Sequence, residues 1–266
     1  MTKLGPLGAT HTALNTAEPA AAVATATELE ELGYTTLWLA GGQGNNLPRI
    51  TEVVRGTSRV QVASGILPVD QVPAAEVAAA YADLPAGRFV VGLGGAHGAR
   101  PLGTLNAYLD EIDTAVPAAD RILSALGPKM LELARDRASG AYPYLVTPDY
   151  IASAREILGA GKQLAVLLNV VAETDATAAR DAVRGAGLRF LTGMPAYAAN
   201  LRRMGFSDGD LADLSDRLVD GVSVWGDFDT VVARLGEYRA AGADQVVVQL
   251  DGLPREWWPR LAEAVR

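Results

Sequence analysis

The feature that most constrains this chain is the end-to-end alternation of short β-rich runs with longer alanine-rich helical runs, the pattern of a parallel sheet built from βα units. Strands are expected at about residues 4–10, 35–40, 59–66, 88–93, 121–126, 141–146, 163–171 and 244–249, which makes eight. Runs such as Leu164-Ala165-Val166-Leu167-Leu168 and Gln245-Val246-Val247-Val248-Gln249-Leu250 are largely apolar without alternation, as strands covered by helices on both faces should be. Eight such units in 266 residues predict an α/β fold, a (β/α)8 TIM barrel.

The punctuation between the units agrees. Pro19 to Leu32 reads as a helix closed by Gly33, and Phe228 to Ala241 as one closed by Gly242, each glycine supplying a left-handed cap. Pro73 to Leu84, Pro128 to Arg137 and Pro148 to Leu158 each open with a proline, whose fixed φ and missing donor suit a first helical turn. The stretch from about 174 to 218 departs from the rhythm: two or three polar-faced helices stand where one would suffice, so an inserted lid or interface element is expected there. No linker divides the chain, and a single domain over 1–266 is expected.

Composition narrows the chemistry. The net charge is −8 with no Lys/Arg run, which gives a nucleic acid or an anionic membrane no electrostatic footprint. Without cysteine there are no disulfides, thiolate nucleophiles or cysteine-held metals. The N-terminus lacks a charged-then-apolar signal pattern, and no run of about 18 apolar residues occurs, so a cytoplasmic protein acting on a small molecule is expected, with no metal.

In a barrel of this kind the reacting groups gather on the loops that follow the strands, and both histidines fall there. His11 follows the first strand and His97 the fourth; imidazole is suited to proton transfer near neutral pH, and the alternative for each is a loop histidine bonded to backbone or water. The run Gly92-Leu93-Gly94-Gly95-Ala96-His97-Gly98 invites a dinucleotide-binding reading, but that needs a helix at its last glycine, and Ala99-Arg100-Pro101 is a poor helix start. A rim loop fits better, with Gly92 serving close passage of the strand and Gly94 and Gly95 nearer the mouth. Ser64-Gly65-Ile66 ends the third strand with a backbone able to approach a flat ring. Leu126-Gly127-Pro128 and Tyr144-Leu145-Val146-Thr147-Pro148 are strand-to-helix junctions whose N-terminal amides are natural phosphate ligands; Thr147 could add a hydroxyl, or serve as an N-cap. Arg49 and Arg100 are expected as solvated surface arginines, the alternative being contact with an acidic group of the substrate if they point inward.

These segments together resemble the luciferase-like monooxygenase superfamily, and within it the actinobacterial oxidoreductases that use coenzyme F420. The resemblance rests on Tyr34-Thr35-Thr36-Leu37-Trp38, Pro73-Ala74-Ala75-Glu76-Val77, Gly87-Arg88-Phe89, Gly92-Leu93-Gly94 and Leu126-Gly127-Pro128-Lys129-Met130-Leu131-Glu132-Leu133-Ala134. Tyr144-Leu145-Val146-Thr147-Pro148, Asp216-Arg217-Leu218-Val219-Asp220 and Ala241-Gly242-Ala243-Asp244-Gln245-Val246 complete it. It implies a deazaflavin cofactor, or FMN in the monooxygenases, and commonly a homodimer. It implies a non-prolyl cis peptide at Gly65-Ile66 behind the cofactor ring, and cofactor phosphate near Gly127 and Tyr144 to Thr147. It also puts His97 near the place where sugar-phosphate dehydrogenases of the superfamily carry a carboxylic acid. Where those dehydrogenases often have an Asp-His pair after the second strand, this chain has Ala40-Gly41-Gly42-Gln43-Gly44. His97 then becomes the main catalytic candidate, with His11, Asn15 and Tyr108 in support. The resemblance implies hydride transfer between F420 and a small organic substrate; the alternatives are an FMN-dependent monooxygenase and a non-catalytic ligand-binding barrel.

Overall fold

The computed structural model describes residues 3–40, 44–95, 98 and 100–265. Its strands in chain order are β1 (Leu7–Thr10), β2 (Thr36–Leu39), β3 (Gln61–Ser64), β4 (Leu67–Pro68), β5 (Phe89–Gly94), β6 (Arg121–Leu123), β7 (Gly140–Ala141), β8 (Gln163–Val171), β9 (Ser223–Trp225) and β10 (Gln245–Gln249). All pairings are parallel, in the order β10-β1-β2-β3-β5-β6-β7-β8, and β8 pairs back onto β10 to close the ring. The result is the closed eight-stranded TIM barrel that the alternation predicts.

The two strands not anticipated are rim pieces. β4 runs beside the end of β5, and β9 pairs with the last three residues of β8, Asn169–Val171, after the closing register has finished at Leu168↔Val248. At two and three residues they are too short to show any period in sequence. The expected strand at 141–146 is corrected: β7 is only Gly140–Ala141, and beyond it a single bridge joins Tyr144 to Leu167. Pro143 has no N–H for a ladder, and Leu145 sits at φ 55°, off the extended conformation. A second correction concerns Pro101. A helix does begin there and runs to Ile112, with Arg100 as its non-helical N-cap, so the proline that bars a helical residue before it is itself the first helical position.

Helices 128–137 and 148–158 have the predicted ends, and Gly33 and Gly242 close their helices at φ 98° and 115°. Gly92 is required by contact: a Cβ there would stand 1.8 Å from the Ser64 carbonyl oxygen. The Ser64 hydroxyl fills the seam instead, donating to the Gly92 carbonyl at 2.9 Å and accepting its N–H at 2.8 Å.

One apolar layer lies between the strands and the outer helices, and a second fills the lumen with Leu4, Trp38, Ala63, Val90, Ile122, Tyr142, Ala165 and Val247. Low in the lumen, Gln245 accepts from Trp38 Nε1 at 2.8 Å and donates to the Gly5 carbonyl and the Thr36 hydroxyl. The expected insertion breaks into five short α-helices and a π-turn before β9, because Gly185, Gly187, Gly193 and Gly205 interrupt it. It has its own apolar cluster, which includes Leu188, Leu201, Phe206, Leu218 and Val222 and takes in Leu145 from the barrel. Each such side chain contributes about 1.5–3 kcal/mol when buried, so the segment is a packed wall.

At the opposite end of the barrel the Arg88 of the Gly87-Arg88-Phe89 motif donates to the carbonyls of Val54, Thr57 and Val60, tying the helix 47–56 to the strand ends. Beside it Glu30, 5% exposed, accepts the N–H groups of Ser58, Arg59 and Val60. Burial raises the Glu30 pKa, but these three amides and Arg59 outweigh it and hold the carboxyl below its ordinary value of 4.5. A depressed carboxyl stabilises the fold above its unfolded-state pKa and stops doing so as pH falls through the folded-state value. Glu30→Gln is therefore expected to lose roughly 1.5–3 kcal/mol at neutral pH and to show a flatter decline in stability below about pH 4.5 than the parent, measured by urea unfolding across pH.

Candidate active site

The floor of the barrel mouth is aromatic. Trp38 on β2 and Tyr142 just after β7 stack across the lumen with ring centroids 3.8 Å apart and planes 12° from parallel. Over this pair lies the Gly65–Ile66 peptide, which is cis. A Cβ on Gly65 would approach Tyr142 to 3.3 Å and Trp38 to 3.4 Å. Gly94 and Gly95 come in from β5, where a Cβ on either would stand 3.2–3.5 Å from Ile66. Gly65, Ile66 and Gly94 thus converge, presenting backbone where side chains would fill the space.

Three tyrosines gather beside this floor. Burial raises the Tyr142 hydroxyl well above its ordinary pKa, with Tyr144 and Tyr197 close enough to add to the effect. Burial lifts Tyr144 to about 12 and raises Tyr197 as well. All three are neutral near pH 7 and act as hydrogen-bond donors rather than bases. Tyr197 belongs to the helix Pro195–Arg203 of the insertion, which brings that helix to the mouth.

The junctions after β6 and β7 open on a cavity of about 530 Å3, lined by Leu126, Pro128, Thr147, Tyr150, Asn200 and Arg203 among others. Leu126 and Thr147 line it directly, and Gly127 lies against it, since a Cβ there would stand 3.4 Å from Arg203 Nη2. Thr147 is the N-cap of helix 148–158, its hydroxyl oxygen accepting from the Tyr150 N–H at 3.2 Å. Tyr150 in turn donates to the carbonyls of Ala125 and Leu126, fixing the neighbouring junction. The side chains of Leu145 and Val146 point elsewhere: Leu145 lies in the insertion's apolar cluster and Val146 in the main core. Only their backbones are left to meet a ligand.

His11 is engaged on both nitrogens. Nδ1 accepts from the Ala13 N–H at 3.0 Å, capping the helix 12–16, so the neutral ring carries its proton on Nε2. Nε2 stands 3.7 Å from Asp251 Oδ1, and the ring packs edge-on to Trp258. His97 lies outside the described residues, as do Gly41, Gly42 and Gln43 of the glycine-rich opening. Asn15 donates to the His11 carbonyl and leaves its Oδ1 buried without a partner among the described residues. Tyr108 donates its hydroxyl to the Val72 carbonyl at 3.0 Å. Arg49 is corrected: far from solvated, its side chain is 17% exposed and held by Glu52 at 3.3 Å, because it lies in the first turn of the helix that packs beside β3.

The sequence reading missed Trp38 and Tyr142 as the floor and Tyr197, Asn200 and Arg203 as the wall. The first two were visible as large aromatics at positions facing inward on their strands; nothing in sequence ties residues 197–203 to a barrel mouth. Among the described residues no group of three His, Asp or Glu side chains could hold a metal, and no helix is long and apolar enough to cross a membrane.

No family model matches the chain, and none of the curated proteins matches it significantly. Solved structures do. The coenzyme F420-dependent tetrahydromethanopterin reductase of Methanopyrus kandleri is similar with a TM-score of 0.75 at 17% identity, over 99% of this chain and 98% of that one. An F420-dependent secondary alcohol dehydrogenase, in complex with an F420-acetone adduct, gives 0.74 at 14% identity over 99% of each chain. The FMN-bound oxygenating constituent of 3,6-diketocamphane monooxygenase from Pseudomonas putida gives 0.66 at 14% identity, over 100% of this chain and 97% of that one. At these identities the likeness establishes a shared (β/α)8 barrel fold.

The role of His11 as a cap is open to test. Its replacement by Ala is expected to cost about 0.5–2 kcal/mol of stability, whereas His11→Asn, which keeps a capping acceptor, recovers most of it in chemical denaturation.

Proposed function

We propose that this chain is an oxidoreductase that holds a deazaflavin, coenzyme F420, in the barrel mouth and acts on a small organic substrate. The observation that carries the reading is the pairing of a flat, glycine-lined floor on Trp38 and Tyr142 with an adjoining cavity at two helix N-termini. A planar ring needs the first and its phosphate the second. When bound, the cofactor supplies hydride transfer between its ring and the substrate carbon.

The chain's own groups do the rest in this reading. Gly65, Ile66 and Gly94 let the ring approach the backbone, while Tyr144 and Tyr197 offer neutral donors at its edge. Leu126 and Gly127, with the backbone from Tyr144 to Thr147, border the phosphate. The insertion wall limits water, and His97 moves the proton that accompanies the hydride. A cytoplasmic homodimer belongs to the same reading, on the strength of the resemblance.

FMN is the second reading, favoured by the same floor and by the FMN-bound neighbour of like fold. Purified protein titrated separately with oxidised F420 and FMN, followed by fluorescence quenching, separates the two. Saturable micromolar binding of the deazaflavin alone is expected; preference for FMN turns the reading to oxygen chemistry, and binding of neither overturns it in favour of a non-catalytic barrel. His97→Ala is expected to keep cofactor affinity within about twofold and to lower turnover by about 100-fold or more once a substrate is found; unchanged turnover removes the histidine from the mechanism.

A further inference from the structure

Helices 128–137 and 148–158 both begin at the cavity, and both begin with proline, which has no N–H to donate. The Thr147 hydroxyl oxygen takes the Tyr150 N–H, so helix ends alone leave few donors for a ligand. The opposite wall supplies more. Asn200 is 1% exposed and lines the cavity, and its Oδ1 accepts from Arg203 Nη2 at 3.0 Å. A guanidinium only donates, so the atom facing it must be the amide oxygen; Nδ2 is then the other terminus, buried and without a partner among the described residues. A buried donor left unpaired costs about 1–3 kcal/mol, which a ligand oxygen would recover.

Two arginines of the insertion lack a carboxylate partner among the described residues, Arg189, which donates to the Ala212 carbonyl, and Arg203, which borders the cavity. Arg180, Arg184, Arg202 and Arg217 each pair with an aspartate, Arg217 with Asp210 at 3.0 Å. Arg203 has no carboxylate partner among the described residues, is exposed, and lies against Gly127 where a Cβ would crowd it. Its contact with Asn200 sets the guanidinium beside the orphaned amide. Among the described residues the one carboxylate that borders the cavity is Asp149, in the first turn of helix 148–158, and it opposes an anion.

We infer that Asn200 and Arg203, both from the helix 195–203, complete a phosphoryl-binding site against the two helix N-termini, so that the insertion itself takes part in ligand recognition. A phosphoryl group presents several oxygens in different directions, matching donors that arrive from the Asn200 amide, the Arg203 fork and the helix ends. Because Asp149 repels the ligand, the unpaired charge of Arg203 decides the balance. Where the phosphoryl group is the cofactor's, the inference rests on the function proposed above; the site is testable without it.

The experiment measures protection of the full chain by inorganic phosphate against thermal unfolding, at constant ionic strength held with chloride, in the parent, Arg203→Gln, Asn200→Ala and Asp149→Asn. Arg203→Gln is exposed and leaves the core intact, so it serves even if Asn200→Ala unfolds. Phosphate is expected to raise Tm in the parent; Arg203→Gln weakens its apparent affinity about tenfold or more, and Asp149→Asn strengthens it. In parallel, Arg203→Gln is expected to weaken F420 by a similar factor while leaving the affinity for its dephosphorylated ribityl deazaflavin unchanged. Absence of protection in the parent, or protection equal in parent and Arg203→Gln, overturns the inference. Protection that depends on Arg203, in a protein that binds neither deazaflavin nor FMN, upholds the site and overturns the cofactor reading alone.

Discussion

The stacking of Trp38 on Tyr142 across the lumen is the contact on which the site depends. An eight-stranded barrel leaves an interior that side chains just fill, and here two large rings from nearly opposite walls fill it at the level of the mouth. Below them the amide of Gln245 fixes the indole N–H, so the Trp38 plane is set by a hydrogen bond as well as by packing. Above them the backbone of Gly65 passes close, where a Cβ would press on both rings at 3.3–3.4 Å. The depth and flatness of the mouth therefore follow from one aromatic pair and its polar support, and the loops around it need only supply edges.

Much of the fold was legible because it obeys short-range rules. Proline at the first helical position marks helices 128–137 and 148–158, glycine marks the ends at Gly33 and Gly242, and runs apolar without alternation mark the longer strands. What failed had a physical reason in each case. β4 and β9 exist only because a longer neighbour, β5 or β8, offers free backbone beyond the barrel ring. The strand expected through Tyr144 is cut short by Pro143 and by the positive φ of Leu145. For Arg100-Pro101 the correct rule was applied to the wrong residue: proline restricts the one before it and favours a start at itself.

The candidate site divides in the same way. Gly65, Ile66, Gly94, Leu126, Gly127 and Thr147 were found from strand ends and from resemblance, and the structure gathers them into two adjoining places. Leu145 and Val146 belong to the same motif yet turn their side chains into core, since a motif records a backbone path as readily as a set of contacts. Arg88 makes the same point, being part of the resemblance while lying at the far end of the barrel and binding carbonyls. Asn200 and Arg203 could not be found from sequence, because their place depends on how the insertion folds over the rim. His11, expected at the mouth, is there, but its Nδ1 is occupied by a helix it helps to start.

β8 is nine residues long and has two partners in succession, β10 along its first part and β9 along its last three residues. The same strand thus closes the barrel and anchors the far end of the insertion. Everything between Val171 and Ser223 is in effect a cassette clipped to one strand at both its ends, with the clip made of backbone hydrogen bonds that do not depend on side-chain identity. Such an arrangement lets the cassette be lengthened, shortened or exchanged without disturbing the ring, provided that the Asn169–Val171 ladder is kept. It makes the wall of the mouth the part of this barrel most easily re-specified, by evolution or by design, for a different ligand.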